Sequence, residues 1–292
     1  MSTQARFRIF EKTAKPHISL LLSANFIPSK LYALHYALKS PFFSILLILV
    51  LGEGCSHEPP SPRAFASTEP AQKSTQDSVP ATVDINYLLG KFDPATRKDF
   101  VAIGKPYSDK PGMMLRIEAF ESFKKMFEAA EKDGITLKII SSERNFDKQK
   151  DIWESKWARF AKDAPAAKDR ALKILEYSAM PGASRHHWGT DVDLNDLNNP
   201  SFEKNGRFEK AYAWLTAHAH EYGFCQPYTA GRSAGYREEK WHWSYTPLSK
   251  TFLEQYKNHI TDARIKGFKG DQTAAEIGIL KNYVLGINPD CH

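Results

Sequence analysis

The chain has 292 residues, of which 42% are apolar and 25% charged, the balance of an ordinary globular protein with room for a sizeable core. These values exclude a collagen-like, coiled-coil, wholly disordered or polytopic membrane chain. The formal net charge is +6, but residues 1–54 carry +4 of it, which leaves +2 for the remainder. Because a nucleic-acid-binding domain concentrates its basic charge where it docks, we expect no nucleic-acid partner.

The first predicted element is an export signal within residues 1–54. Residues 42–51 form an uncharged apolar run that is too short for a membrane span of about 20 residues but suits a signal-peptide core of about 7–15. Cys55 follows where a bacterial lipoprotein is cleaved and acylated. Gly52 and Glu53 are unusual in such a motif, so an N-terminal anchor and a conventional cleaved signal stay open. We expect an exported, periplasmic or cell-envelope protein that meets the membrane only through an N-terminal lipid or anchor.

Residues 55–83 are rich in Pro, Ser, Thr and Ala, a composition that predicts a disordered linker because it buries too little apolar surface to offset the entropy of ordering. The chain has three cysteines, Cys55, Cys225 and Cys291. No two of them have metal-ligand spacing, which excludes a cysteine-based zinc site. With Cys55 lipidated in an oxidising compartment, Cys225 and Cys291 are candidates for a disulfide.

Residues 84–292 are predicted to form the folded domain. Apolar residues from Leu115 to Ala130 recur at helical spacing, and Gly134 ends this helix. Strands are predicted over 135–141, 192–194 and 241–245, and further helices over 145–160, 166–177, 207–222, 248–263 and 272–283. Because helices and strands follow one another without a regular unit, and no Gly-rich phosphate loop is present, the pattern predicts a single α+β domain.

Polar clusters stand at the ends of three predicted strands, and two of the clusters contain imidazole and carboxylate groups. A catalytic zinc ion takes three such ligands and keeps one position for water. His186 and Asp193 are separated by a glycine-containing turn that would bring them to one point, and His242 supplies a third ligand from another strand. A carboxylate beside His242 would accept a proton from the water. We therefore expect one Zn²⁺ ion per chain.

Three motifs together resemble the zinc signature of the VanY/VanX-type D-alanyl-D-alanine peptidases. The motifs are Arg144 followed five residues later by Gln149, Ser184-x-His186-x-x-Gly189-x-x-x-Asp193, and Glu239-x-Trp241-His242. The resemblance covers residues 111–246. It implies an α+β fold with a central antiparallel sheet flanked by helices, of the D,D-peptidase/hedgehog-like type.

The resemblance also implies a role for each matching residue. His186, Asp193 and His242 would be the zinc ligands and Glu239 the general base. Arg144 would be a cation that binds the substrate carboxylate or stabilises the oxyanion. The rest of the predicted substrate-binding set is Gln149, Ser184 and Trp241. For Ser184 the alternative is that it caps its own loop, and for Trp241 that it belongs to the core.

Several neighbouring residues compete with these assignments. Glu238 is a rival for the base, because a one-residue bulge would interchange it with Glu239. In a regular strand Glu239 and His242 would face opposite sides, so the assignment needs a bulge or non-strand backbone between them. Asp191 departs from the family pattern and either orients a ligand histidine or faces solvent. His187 would point away from the site, and His218 and His220 cannot share an ion from one helix.

The activity implied by the resemblance is that of a hydrolase, a zinc metallopeptidase acting on the stem peptides of peptidoglycan. The simplest form is a D-alanyl-D-alanine carboxypeptidase. An L,D-carboxypeptidase, a D,D-dipeptidase and a stem endopeptidase are the alternatives among enzymes, and a non-catalytic cell-wall-binding lipoprotein is the alternative of another class. We expect a monomer.

Overall fold

A computed structural model describes residues 84–292 of the protein. The predicted export segment 1–54, the predicted linker 55–83 and Cys55 lie outside the described residues. The helices are α1 (Ile85–Leu88), α2 (Ile117–Lys132), α3 (Phe146–Arg159), α4 (Ala167–Ile174), α5 (Glu209–His218), α6 (Thr246–His259) and α7 (Ala274–Ile277). The strands are β1 (Phe100–Ile103), β2 (Met113–Arg116), β3 (Ile139–Ser141), β4 (Asp191–Leu194), β5 (Phe224–Cys225) and β6 (His242–Tyr245). No helix among the described residues is long and apolar enough to cross a membrane.

Four strands form a central antiparallel sheet in the order β3-β4-β6-β5, and β1 and β2 form a separate antiparallel pair. The middle of the sheet is the ladder between β4 and β6, in which Asp193 lies opposite His242 and Val192 opposite Trp243. Helices pack around this sheet. The predicted α+β class with an antiparallel sheet flanked by helices is confirmed.

Two hydrophobic clusters hold the helices in place. One cluster joins α2 and α5 to one face of the sheet, where Phe123, Leu215, Val192 and Trp243 are buried together. The other cluster joins α1, α3, α4, α6 and the C-terminal segment; its fully buried members include Leu88, Trp153, Trp188, Phe252 and Ile279. Trp188 and Trp243 are therefore core residues, which leaves Trp241 as the tryptophan of this region that lines a cavity.

Most predicted elements are present, with shifts at their ends. The helix expected from Leu115 begins at Ile117, because Leu115 belongs to β2 and pairs with Val101. The strand predicted over 135–141 is confined to Ile139–Ser141. The helix predicted over 272–283 is divided by Gly278, which has a φ of 71°, into α7 and a following π-helical turn (Leu280–Val284).

Strand β1 was not predicted from the sequence, whereas the disulfide was. No strand was predicted over Phe100–Ile103, where the structure has a four-residue strand that is buried only at its two ends and pairs with β2. Cys225 and Cys291 form a disulfide, with their Cα atoms 5.8 Å apart, as predicted. This bond connects β5 to the end of the chain.

Candidate metal centre and active site

The register of β4 and β6 brings two of the candidate metal ligands together. Asp193 and His242 are paired residues in this ladder, so their side chains project from the same face of the sheet. Val192 and Trp243 project from the opposite face into the α2–α5 core. The short strand pair therefore has an apolar face that is packed and a polar face that forms the site.

His186 reaches this face from a 3₁₀ turn (Arg185–Trp188) that ends at Gly189. Its Nδ1–H donates a hydrogen bond of 2.7 Å to the carbonyl oxygen of Ser142, which directs Nε2 toward the sheet. Nε2 of His186 lies 3.3 Å and Nδ1 of His242 lies 3.1 Å from the same atom, Oδ1 of Asp193. All three side chains are buried. The structure thus brings together the three residues predicted as ligands.

These three residues fit a divalent metal ion. One ligand atom from each lies within 4.8 Å of the others. Nε2 of His186 and Oδ1 of Asp193 are buried and make no hydrogen bond, although unpartnered polar atoms are costly in a protein interior. A cation bound between them would satisfy both atoms. Two imidazoles and one carboxylate are a donor set typical of catalytic zinc sites.

Asp191 is fully buried beside this centre, so the alternative in which it faces solvent is wrong. Its Oδ2 accepts hydrogen bonds from Nε2 of His242 at 2.8 Å and from Nε of Arg185 at 3.0 Å, and its Oδ1 accepts one from the Ser244 hydroxyl at 2.8 Å. Because Nε2 of His242 is occupied in this way, Nδ1 is the nitrogen left to face the centre. Asp191 therefore orients His242, one of the three candidate ligands.

The charges around the site shift the pKa values of its members in the metal-free protein. Burial raises the pKa of Asp193, but the imidazoles of His186 and His242 outweigh it and hold that pKa well below its usual range. Burial also raises the pKa of Asp191, but Arg185 and His242 lower it by more, so this pKa too lies below its usual range. Despite burial, the hydrogen bond to Asp191 and the nearby carboxylate of Asp193 raise the pKa of His242 to about 9. Burial and the nearby Arg144 lower the pKa of His186.

Glu239 and Glu238 occupy different places. Oε2 of Glu239 lies 3.6 Å from Nδ1 of His242, and Glu239 is buried in the same cavity as the three candidate ligands. Glu238 is half-buried and lies 3.8 Å from Lys240. Residues 239–241 form a turn before β6 begins, which is the non-strand backbone that the assignment of Glu239 requires. Burial raises the pKa of Glu239 to about 8.

The residues predicted to bind substrate line one cavity of about 600 Å³ together with the metal centre. Nη1 of Arg144 lies 3.7 Å from Oδ2 of Asp193 and donates a hydrogen bond to the Ser141 hydroxyl. Gln149 donates to the Ala179 carbonyl at 2.8 Å, and its own side-chain oxygen is buried without a partner. Ser184 and Trp241 also line the cavity, and the Ser184 hydroxyl does not cap its loop.

The three other histidines weighed in the sequence analysis, His187, His218 and His220, lie away from the centre. His187 is buried, but its Nδ1 is 2.6 Å from the Arg144 carbonyl and its Nε2 accepts a hydrogen bond from the Gly182 amide. His218 pairs with Glu221 at 2.8 Å near the protein surface, and His220 is exposed. None of these three points toward the candidate ligands.

Lys156 and Tyr228 are among the residues of the cavity wall that were not predicted from the sequence. Lys156 stands seven residues after Gln149 on α3, a spacing that puts both side chains on one helix face and that would have identified it. The Tyr228 ring packs 4.7 Å from the His242 ring. Nothing in the local sequence around Tyr228 indicates this contact.

Fold and site together define a class of protein: an α+β domain with three candidate metal ligands, a buried carboxylate and a guanidinium group in one cavity. Comparison with known proteins supports this class. The family model VanY, D-alanyl-D-alanine carboxypeptidase, matches residues 112–248, which contain every candidate site residue from Arg144 to His242. The chain belongs to this VanY-type peptidase family.

Individual relatives match over part of their length. The Bacillus subtilis protein YodJ, provisionally named a carboxypeptidase, is 30% identical over 177 residues, which is 58% of this chain and 60% of YodJ. A D-alanyl-D-alanine carboxypeptidase of Enterococcus faecalis is 28% identical over 143 residues, which is 46% of this chain and 52% of that protein. This chain therefore spans little more than half the length of these two relatives.

One solved structure with a related sequence is a mutant of the vancomycin-resistance D,D-pentapeptidase VanY from a VanB-type cassette, in complex with Zn(II). It is 26% identical to this chain and superposes with a TM-score of 0.41. The match covers 53% of this chain and 88% of that one.

Proposed function

We propose that the protein is a zinc-dependent peptidase that hydrolyses the stem peptides of peptidoglycan, acting as a D-alanyl-D-alanine carboxypeptidase. The observation that carries the proposal is the convergence of His186, Asp193 and His242 in one cavity with Glu239 beside them. Membership of the VanY-type family supports the substrate class. The completeness of this residue set argues against a non-catalytic wall-binding protein, which has no chemical need for it.

The proposed reaction divides the work among the residues of the cavity. His186, Asp193 and His242 would hold the zinc ion, which when bound supplies Lewis-acid activation of water and of the scissile carbonyl. Glu239 would accept a proton from the attacking water and return it to the leaving amine. Its position 3.6 Å from His242, in the same cavity as the candidate ligands, places it to exchange this proton.

Arg144 would act on the negative charge of the substrate. Its guanidinium lies 3.7 Å from a carboxylate oxygen of Asp193, so it borders the metal centre. This position favours stabilisation of the oxyanion that develops on the scissile carbonyl. A planar guanidinium presents paired N–H donors for this purpose, which an ammonium group does not reproduce.

The place of action follows from the substrate. Peptidoglycan lies outside the cytoplasmic membrane, and the proposal therefore includes export to the periplasm or cell envelope. The apolar run over residues 42–51 supports export, and Cys55 supports a lipid anchor. We propose that the enzyme acts as a monomer with one zinc ion per chain.

The test of the proposed function is release of D-alanine from purified muropeptides. We expect release by the zinc-loaded protein, loss of release after treatment with a chelator, and recovery when zinc is added back. Metal content measured on the same samples should approach one zinc per chain. An active protein that is indifferent to the chelator would contradict the zinc mechanism, and release of another fragment would identify one of the alternative specificities.

Replacement of the two adjacent glutamates tests the assignment of the base. Glu239→Gln should retain zinc and lose turnover by roughly 100-fold or more, because general-base catalysis contributes about that factor. Glu238→Gln is the matched control and should leave turnover near the wild-type value. If Glu238→Gln abolishes activity and Glu239→Gln does not, the assignment is wrong by one residue.

A further inference from the structure

Lys156 is a cation in the active-site cavity for which the proposed reaction has no use. It lies on α3, lines the cavity and is half-buried. Its Nζ donates a hydrogen bond to the hydroxyl of Ser178, which also lines the cavity. Among the described residues, Lys156 forms no ion pair with a carboxylate.

The two other cationic side chains that line the cavity differ from Lys156 in this respect. Arg185 is fully buried and is paired with Asp191 at 3.0 Å. Arg144 lies 3.7 Å from Asp193. Lys156 is therefore the cavity cation, within the described part of the chain, that has no carboxylate within ion-pair distance.

The surroundings of Lys156 make an anionic ligand favourable. Burial and the positive charges of Arg159 and Arg144 lower the pKa of Lys156, and the carboxyl group of Glu239 opposes this effect only in part. Arg185 is balanced by Asp191, which leaves Arg144 and Lys156 in the cavity with Asp193 and Glu239 before any metal ion adds positive charge. A ligand carboxylate placed near Nζ would offset the cost of holding an ammonium group partly out of water.

We infer that Lys156 is a specificity-determining residue that binds a carboxylate of the peptide substrate. This inference rests on the proposed function. Arg144 precedes α3, borders the candidate metal centre and would bind the reacting carbonyl. Lys156 lies on α3 and would bind a second negative group. The cavity of about 600 Å³ has room for a short peptide that reaches both cations.

Two carboxylates of a stem peptide have the required chemistry, and substrate pairs distinguish them. The first pair consists of pentapeptides with meso-diaminopimelate or L-lysine at the third position, which differ by one side-chain carboxylate. The second pair consists of N-acetyl-D-Ala-D-Ala and its C-terminal amide, used as competitive inhibitors, which differ in the terminal carboxylate.

Lys156→Met should weaken binding of the carboxylate-bearing member of one pair by about 10-fold, seen in KM or in the inhibition constant, with kcat little changed. Binding of the other member of that pair should stay unchanged. The pair that responds identifies the carboxylate. Lys156→Arg keeps the charge and should retain the discrimination. Lys162→Met, at an exposed lysine outside the cavity, is the control for net charge, and Ser178→Ala is the control for the lost hydrogen bond.

An equal effect of Lys156→Met on both members of each pair, or no effect on either pair, would overturn the inference. Titration calorimetry with the same four peptides on the zinc-loaded protein separates this result from failure of the proposed function. A wild-type protein that cleaves nothing but binds the carboxylate-bearing peptide more tightly, in a manner that depends on Lys156, would leave the inference standing without the activity.

Discussion

Asp191 acts on the metal centre through His242. Its carboxylate accepts the Nε2–H of that histidine and is itself held by Arg185 and the Ser244 hydroxyl. The four side chains form a buried network in which the donors named here and the carboxylate oxygens are paired. Such partners fix the orientation of a ligand imidazole and increase its basicity.

We predict that Asp191→Asn lowers the affinity for zinc by about 10–100-fold, since an amide neither matches the charge of Arg185 nor accepts from His242 as strongly. A competition titration with a chromophoric chelator measures this change. The same variant should remain folded, as judged by circular dichroism. An unchanged zinc affinity would mean that Asp191 has a purely structural role.

Glu143 is a second buried carboxyl group, and it lies outside the metal centre. Its side chain is completely buried, neither oxygen makes a hydrogen bond, and Nζ of Lys148 is 3.8 Å away. Burial raises its pKa to about 7, against the opposing effect of Lys148 and Arg144. Because the folded-state pKa exceeds the unfolded value, stability is highest below the unfolded pKa and is lost as pH rises toward 7.

We therefore predict that Glu143→Gln removes this pH dependence. Relative to the wild type, the variant should gain about 3 kcal/mol in unfolding free energy between pH 5 and pH 8, the range over which Glu143 ionises. Urea denaturation of both proteins at the two pH values gives the double difference. A difference between variant and wild type that is the same at both pH values would contradict the prediction.

The candidate ligands lie on three short elements, the turn Arg185–Trp188, β4 and β6, whose positions depend on close packing. β4 and β6 contain four residues each, and their register alone decides that Asp193 and His242 share a face. Gly189 connects the turn that carries His186 to β4 and has a φ of 69°. A Cβ atom at this position would collide with the Phe100 ring of β1. The β1–β2 pair thus packs directly against the connection between two of the ligands.

Gly189→Ala should destabilise the protein by about 2–4 kcal/mol, because a left-handed backbone conformation and an overpacked contact are both unfavourable. Gly112→Ala is the matched control. Gly112 has a φ of 73° but open space around it, so we expect a cost of about 1 kcal/mol. Urea denaturation of the two variants compares them directly. Equal costs would show that the Phe100 contact adjusts freely.

The C-terminal segment is bonded to a segment that contributes to the cavity wall. The disulfide connects Cys291 to Cys225 of β5. Near it, the Asn288 amide donates to the Pro227 carbonyl, and Arg232 donates to the Gly286 carbonyl. These bonds hold the segment that carries Tyr228, a residue of the cavity wall, against the C-terminal segment. The disulfide is therefore a part of the fold that bears on the site.

Replacing both cysteines by alanine should lower the unfolding free energy by about 2–5 kcal/mol, since the bond closes a loop with a sequence separation of 66 residues. Urea denaturation at 25 °C measures the loss. Turnover at the same temperature should persist in the fraction of molecules that stays folded. A loss below about 1 kcal/mol would mean that packing of the C-terminal segment alone keeps it in place.

Local patterns in the sequence were enough to predict the α+β class, most helices, the disulfide pair and the metal-ligating residue types. Helical spacing reports which side of a segment is apolar, and this property is local. The motif spacing around His186, Asp193 and His242 likewise depends on short segments of chain. The same reasoning failed at β1, because this strand has only four residues and its pairing with β2 is not visible in the local sequence.

The tertiary structure alone decided which side chains contact His242. It placed Glu239 instead of Glu238 beside His242, buried Asp191 next to the same histidine and packed the Tyr228 ring against the His242 ring. Each of these outcomes depends on contacts between residues far apart in the chain or on a turn that departs from strand geometry. Sequence periodicity carries no information about such distances, because they are set by how whole elements pack against one another.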